Sequence, residues 1–304
     1  MPSSDQKPPF PAPNSTLPFW RTQPDKLDDY RSTEELPAEC DIVIIGAGYA
    51  GASVAYHLLD GNPSPPSIVM LEARQACSGA TGRNGGHLKP SLYASVTNMT
   101  PKYGREAAEE LAKFEMAHVS AIKRLMEKEN IDCDFHITRS FDVFLTESQN
   151  EKVKRDYDAL NQAGVISVLD VHYTSGDKAE RLVESAKRHF DGYMQRHFRG
   201  WEDSRAYTDR VWSGVMGYSS DNLPHVGHVP GKPGLLIIAG FTGHGMPQIF
   251  LSAKGIAQMI REGKSFEGTG VPRLYQTTQK RLDSKENAPL AAIGREINLG
   301  QVRL

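Results

Sequence analysis

The sequence predicts an α/β fold of Rossmann-like type, and three observations carry that reading. A short β-branched run, Asp41-Ile-Val-Ile-Ile45, leads directly into Gly46-Ala-Gly48-Tyr-Ala-Gly51, and a helical stretch from Ala52 to Leu59 follows. After the breakers Gly61, Pro63, Pro65 and Pro66, a second apolar run, Ser67-Ile-Val-Met-Leu71, reads as another strand. Strand, helix and strand in that order form a parallel crossover unit, whose strands are expected to be buried on both faces. Further along, Leu235-Leu-Ile-Ile-Ala239 reads as a third buried strand entering a second glycine-rich turn. The helix after it, Gln248 to Ile260, turns Ile249, Ala253, Ile256 and Ile260 inward.

The remaining elements follow from the same periodicities. From about Tyr103 to Asn130, Leu111, Phe114, His118, Ile122 and Leu125 recur at steps of three and four and line one helical face. Phe141 to Leu145 reads as a strand, Glu147 to Ala163 as a polar helix ended by Gly164, and Lys178 to Phe198 as a helix poor in apolar residues. Residues 1–40 open with Pro8, Pro9, Pro11 and Pro13 and are expected to be an extended arm; Phe19 and Trp20 would pack it onto something. After Gly263 the text turns polar, and 265–304 is expected to be a surface tail.

Bulk properties exclude several function classes. The 304 residues are 39% hydrophobic and 24% charged, a globular mixture, and the formal net charge of -2 gives no global field for nucleic acid or an anionic membrane. No apolar run is long enough to span a bilayer, and no secretory leader is legible. Cys40, Cys77 and Cys133 are too few and too scattered for a disulfide framework or a zinc site, which points to a reducing compartment, the cytoplasm. The ending Val302-Arg303-Leu304 has the basic residue and final Leu of a peroxisomal address but lacks its small first residue.

The glycine run carries the chemistry. Gly46 permits the tight turn, Gly48 allows close approach of a pyrophosphate, Gly51 allows helix and strand to pack, and the helix start offers free N–H groups. Glu72, about twenty residues after the last glycine, is spaced to accept hydrogen bonds from a ribose diol and to repel a 2′-phosphate, which disfavours NADP. That pattern leaves NAD and FAD both open. The next segment, Cys77-Ser-Gly79-Ala-Thr-Gly82-Arg83-Asn84-Gly85-Gly86-His87, can wrap a polyphosphate with backbone donors and one charge.

Together these blocks resemble the D-amino-acid oxidase superfamily, in particular its FAD-dependent amine and amino-acid oxidases. The resemblance rests on Gly46, Gly48, Gly51 and Glu72-Ala73-Arg74; on Gly82, Arg83, Asn84, Gly85 and Gly86; on the stretch from Glu106 to Leu145; and on Ser220 to Pro224 with Gly243, His244, Gly245 and Met246. It implies a discontinuous FAD-binding domain, 41–96 with 207–264, and a substrate region, 97–206. It also implies that Glu72 holds the adenosine ribose, that Arg83 and Asn84 lie along the pyrophosphate and near the isoalloxazine, and that the Gly243 turn points a helix N-terminus at the pyrimidine edge. Some members tether the flavin to a cysteine before this turn; none lies between Trp212 and Gly245, so noncovalent FAD is expected. The implied reaction is hydride transfer from the carbon bearing an amine to the flavin, hydrolysis of the imine, and reoxidation by dioxygen with release of hydrogen peroxide. His87, Lys89 and His244 are the polar residues nearest the expected flavin faces and the catalytic candidates; for the histidines, bonding the backbone is an equal alternative.

The family's large central block, with a small-residue turn such as Ala-Thr-Asn-Ala near its end, has no counterpart between Asp177 and Tyr193. A domain's worth of chain is expected to be absent near Leu182 and Val183, leaving a truncated substrate domain. Two readings follow: a shortened but active oxidase of a small amine or amino acid, or an internally deleted remnant that at most binds the nucleotide.

Overall fold

The computed structural model describes residues 16–23, 25–140, 142, 144, 146–174, 214–289 and 291. The expected helix at 178–198, the join near Leu182, the first fifteen residues and the last three lie outside these, and the expected strand at 141–145 lies largely outside them. The chain divides into two compact units, Met1–Arg139 with Trp212–Leu304, and Ser140–Val211.

In the first unit, β1 (Ile42–Ile45) pairs in parallel with β2 (Ile68–Leu71), Ile42 opposite Ile68 and Ile45 opposite Leu71, with α1 (Tyr49–Leu59) between them in sequence. This is the crossover that the glycine spacing predicts. Gly46 makes the turn at φ 105°, a region open to glycine, and its N–H donates to Leu71 O at 2.7 Å. The helix expected from about Tyr103 to Asn130 forms, and a further helix precedes it. α2 (Leu92–Tyr103), with Pro101 in its last turn, stops at Gly104 (φ 83°), and α3 (Arg105–Glu129) ends on Asn130 in the left-handed conformation that Asn tolerates. Leu111, Phe114, His118 and Ile122 are buried along α3 as their spacing predicts, and Leu125 is half-buried.

In the second unit, α4 (Glu147–Gln162) begins where Thr146 Oγ1 accepts the N–H of Gln149, and carries Lys152–Asp156 and Lys154–Asp158 pairs at i,i+4. Tyr157 stacks on Tyr173, and Val165 and Val168 are buried beside it in sequence.

Back in the first unit, β3 (His225–His228) pairs antiparallel with β4 (Leu236–Ala239), and α5 (Ile249–Glu262) packs on α1 and α3. Leu58 and Val54 of α1, Leu111 and Phe114 of α3, and Ala253 and Ile256 of α5 share one core.

Three expectations are corrected. β1 is not buried on both faces: Ile44 is buried, but Val43 is 53% and Ile45 86% exposed. A strand is covered twice only where layers lie on both sides; among the described residues β1 has β2 alone as its partner. The stretch read as a third buried strand is half-buried, with Ala239 exposed, and is one arm of the β3–β4 ribbon. Residues 265–277 are not part of a surface tail, since Phe266, Val271 and Tyr275 enter the core and Tyr275 is 1% exposed. Their apolar side chains are spread over short 3-10 turns and so show no helical or strand period. The segment is clamped by Arg281, which takes Asp221 with two nitrogens (2.7 and 3.0 Å) and also donates to the carbonyls of Leu223, Pro224 and Gln276.

Two predictions follow from this packing. Tyr275→Ala opens a cavity in the shared core and is expected to cost roughly 3–5 kcal/mol in urea denaturation, against almost nothing for a residue in a tail. The second concerns acid. His118 is buried as a neutral ring, Nδ1–H donating to Phe114 O (2.9 Å) and Nε2 accepting the N–H of Leu251 (3.0 Å). Burial pushes its pKa down to about 4, and burial against Phe250 does the same to His57, also to about 4. The unfolded chain takes up these protons near 6.5 and the folded chain only near 4, so protons favour unfolding across that interval. Stability should be full above pH 6.5 and fall between 6.5 and 4. Burial raises the Asp221 carboxyl, but its bonds to Arg281 outweigh this and hold it below the usual range, which extends the fall below pH 4. Denaturation midpoints of His118→Leu should be lower at neutral pH but flatter from pH 6.5 to 4; an unchanged slope would contradict this account.

Candidate functional site

The glycine loop sits at the N-terminal end of α1. The N–H of Ala47 donates to Glu72 Oε2 (2.9 Å), and that of Arg74 to Glu72 Oε1 (3.0 Å), so the Glu72 carboxylate lies at the mouth of the loop while remaining exposed. Each of its oxygens keeps a lone pair for a further donor. The Tyr49 N–H is taken by Thr81 Oγ1 (2.9 Å), whereas the N–H groups of Gly48 and Ala50 meet no acceptor among the described residues. A side chain at Gly51 would overlap the carbonyl oxygen of Gly46 and the Ile44 methyl, which is why helix and strand can approach so closely.

The second loop is locked onto the first. Cys77 donates its N–H to Ala47 O (3.0 Å) and holds a left-handed φ of 56°, strained for a residue with a side chain. Burial pushes its thiol pKa up. Gly82 is buried; Gly85, Gly86, His87, Ala73 and Arg74 are exposed; Lys89 is half-buried. Asn84 folds the loop on itself, Nδ2 donating to Thr81 O (2.6 Å) and Oδ1 accepting from Gly86 N–H (2.7 Å). Arg83 donates to Thr16 O (2.8 Å) and Ser78 O (3.3 Å).

Of the two aromatics expected to pack the arm, Phe19 stays exposed against its neighbour, and Trp20 alone grips the second loop. Trp20 lays its ring over Gly86 and donates Nε1–H to Asn84 O (2.8 Å). Arg21, ion-paired with Asp28 (3.1 Å), donates to Ala76 O (2.6 Å) and Gln75 Oε1 (2.8 Å). The signal in the sequence was the pair Phe19-Trp20 itself; its partners lie more than fifty residues away.

The third block is the turn from Gly243 to Met246. It follows Thr242, a β-branched residue at φ 54°, whose N–H donates to Gly217 O (3.0 Å). Gly214, in that same neighbouring segment, lies against the Arg83 side chain, so the second and third blocks meet there. The N–H groups of Gly243, Gly245 and Met246 have no acceptor among the described residues, while those of Gln248 and Ile249 donate to Gly245 O (3.0 and 2.9 Å) and that of Leu251 to His118. The donors at this end of α5 that meet no acceptor among the described residues therefore lie mainly in the turn.

His244 and Gln248 converge on Glu115 of α3, which the sequence reading did not single out. Glu115 Oε2 is 3.1 Å from His244 Nε2 and accepts the N–H of Ser91 (2.7 Å), and Oε1 accepts from Gln248 Nε2 (2.7 Å). The segment of His87 and Lys89 thus meets the His244 turn through one carboxylate. Ser78 Oγ and Gln248 Oε1 are buried without a hydrogen-bond partner. A surface depression between α3 and α5, lined by Glu106, Glu110, Lys113 and Lys254 among others, contains none of the expected site residues.

Among the described residues no cluster of His, Cys, Asp or Glu is arranged to hold a metal ion, and no helix is long and apolar enough to cross a membrane. Comparison with known proteins gives matches of limited span. A γ-glutamylputrescine oxidoreductase of Escherichia coli is 33% identical over 96 residues, 32% of this chain and 22% of that one. A mitochondrial amino-acid acetyltransferase of Aspergillus oryzae is 28% identical over 113 residues, 35% of this chain and 16% of that one. A mitochondrial pyruvate dehydrogenase phosphatase regulatory subunit of the mouse is 26% identical over 158 residues, 51% of this chain and 16% of that one. The chain thus spans less than a quarter of each of these relatives. No solved structure matches it. The family model described as FAD-dependent oxidoreductase matches residues 41–209 and 170–259, two overlapping stretches that together cover well over half of the sequence. With its glycine loop, ribose-spaced carboxylate and interlocked second loop, the chain belongs to the FAD-dependent oxidoreductase (DAO) family, and its βαβ unit is that family's Rossmann-like FAD-binding fold.

Proposed function

We propose that the chain binds FAD noncovalently and oxidises a small amine or amino acid, with dioxygen as the final acceptor. The observation that carries this reading is the interlock of the two loops at the start of α1. Tyr49 N–H on Thr81 and Ala47 N–H on Glu72 hold the loop open, with the Gly48 and Ala50 amides left for a pyrophosphate. The partnerless Ser78 Oγ and Gln248 Oε1 fit the same reading, because a buried polar atom left unbonded costs about 1–3 kcal/mol that a ligand group can recover. The name of the Escherichia coli relative, a γ-glutamylputrescine oxidoreductase, supports an amine as the substrate class. No cysteine stands between Trp212 and Gly245 to tether a flavin, and all three cysteines are free, which fits a reducing compartment such as the cytoplasm.

When bound, FAD supplies the acceptor for the electron pair of the carbon–hydrogen bond beside the amine, and dioxygen regenerates it with release of hydrogen peroxide. The chain's own residues do the rest. Glu72 accepts the hydroxyls of the adenosine ribose and repels a 2′-phosphate; the loop amides and the dipole of α1 hold the pyrophosphate, with Arg83 and Asn84 shaping the second loop around it. The free amides of Gly243, Gly245 and Met246 stabilise negative charge developing at the pyrimidine edge. His87, Lys89 and His244 orient the amine. Residues 41–96 and 207–264 form the cofactor domain in this reading, and 97–206 a shortened substrate region.

A second reading has its own observation. Val43 and Ile45 are exposed on a strand that the fold normally covers, and the family model aligns in two overlapping stretches rather than one. An internally deleted chain that holds the nucleotide without turning over a substrate would show both features.

The visible spectrum of the purified protein separates the readings. Yellow protein that releases peroxide with γ-glutamylputrescine, putrescine or one of the common L- or D-amino acids supports oxidation; yellow protein inert to all of them supports the remnant; colourless protein that takes up no added FAD sinks both. Glu72→Ala is expected to keep the fold, since Glu72 is exposed, and to weaken FAD at least tenfold by fluorescence quenching, the loss of one to two charge-assisted hydrogen bonds.

A further inference from the structure

Among the buried polar residues of the described chain, Glu115 is the only carboxylate, its side chain 3% exposed. Burying a carboxylate is costly unless it is bonded. Here the Ser91 N–H, the Gln248 side-chain amide and the His244 Nε2, from two separate segments, meet its two oxygens. An apolar residue would join the same elements without that desolvation cost, so the charge does something that packing does not. Its placement suggests what. A carboxylate can only accept, so the proton of the His244 ring lies on Nε2, and Nδ1 keeps its lone pair. The His244 side chain is 40% exposed, and Nδ1 has no partner among the described residues.

We propose that Glu115 is a positioning residue that fixes His244 as the Nε2–H tautomer, so that Nδ1 takes the proton of the substrate's ammonium group. The inference rests on the amine reading above. In this step one N–H bond of the ammonium breaks and its electron pair stays on nitrogen, while the Nδ1 lone pair forms the new N–H bond. No electrons leave either partner, and the imidazolium charge falls beside the Glu115 carboxylate. The amine is left with the lone pair it needs when the neighbouring carbon is oxidised.

The tautomer can be read without cofactor or turnover. In the full chain labelled with [15N]histidine, with His244 assigned by its loss in His244→Asn, the neutral ring should show a protonated Nε2 and a bare Nδ1. A protonated Nδ1 overturns the proposal whether or not FAD binds. The kinetic arm uses the FAD-loaded protein and Glu115→Gln, which can keep its shape because Gln248 can turn its amide and offer its unpartnered Oε1. Bleaching of the flavin band by the fastest amine of the panel, without oxygen, should slow by about 10²-fold in Glu115→Gln and in His244→Asn, with FAD affinity changed less than about threefold. The double variant should be no slower than His244→Asn alone, because Glu115 acts through the ring. Independent, multiplying losses, or an undiminished rate in Glu115→Gln, would refute it. A protein that bears the expected tautomer yet holds no FAD would fail the functional reading while leaving the Glu115–His244 geometry standing.

Discussion

The arrangement depends on the grip of α3 on the N-terminal end of α5. Glu115 and His118 stand one turn apart on α3, and each takes hold of that end: the carboxylate through Gln248 and His244, the imidazole through the Leu251 N–H. α5 in turn packs along α1, whose first turn carries the glycine loop. Three polar contacts, each between residues about 130 positions apart, therefore fix α3 against the turn and the start of α5. Polar groups suit this task because they fail abruptly. A slide of α5 by one residue would leave the buried carboxylate with only its Ser91 partner and the buried imidazole with only Phe114 O, at a cost of about 1–3 kcal/mol for each bond lost, whereas an apolar seam would tolerate the slide at a smaller cost.

What could be read from the sequence were features whose constraint is local. Gly46, Gly48 and Gly51 are needed by the backbone of one turn, and Glu72 by the end of the strand that this turn faces, so spacing alone placed them. His118 was visible as a member of the apolar stripe of α3. Glu115 was not, although its position three residues before His118 and four after Leu111 puts it on that stripe; a carboxylate between Phe114 and Met116 reads as solvent-facing until its partners are known. The Arg21 and Trp20 contacts and the Asp221–Arg281 clamp are invisible for the same reason, since each joins residues more than fifty positions apart. Phe266, Val271 and Tyr275 were missed because they anchor irregular turns one at a time, and periodicity is a property of regular elements.

The outer face of β1 shows what the inner contacts have to offset. Covering a Val or Ile side chain contributes roughly 1.5–3 kcal/mol, and Val43 and Ile45 forgo most of it. The strand is held from its other face by Ile44 and from its end by the loop, through Gly46 N–H on Leu71 O and the Asp41–Ser67 bonds at the opposite end. The arm adds a further restraint to the second loop, which Cys77 and Thr81 tie to the first. With Arg21 half-wrapped by Gln75, Ala76 and Asp28, that loop is fastened on both sides.

The strained residues show where this rigidity is directed. Cys77 and Thr242 both hold positive φ, a conformation that costs a side-chain-bearing residue on the order of 1–3 kcal/mol. Glycine would relieve the strain at either position, yet each side chain is tied down. Cys77 lays its thiol as well as its N–H on Ala47 O, and Thr242 sends its hydroxyl to Gly240 O and its N–H to Gly217 O. Glycine in either place would lose the side-chain bond and regain the freedom to swing. Both residues stand at the entrance to a glycine-rich loop or turn, and the strain there is the cost of fixing the path by which the chain enters it.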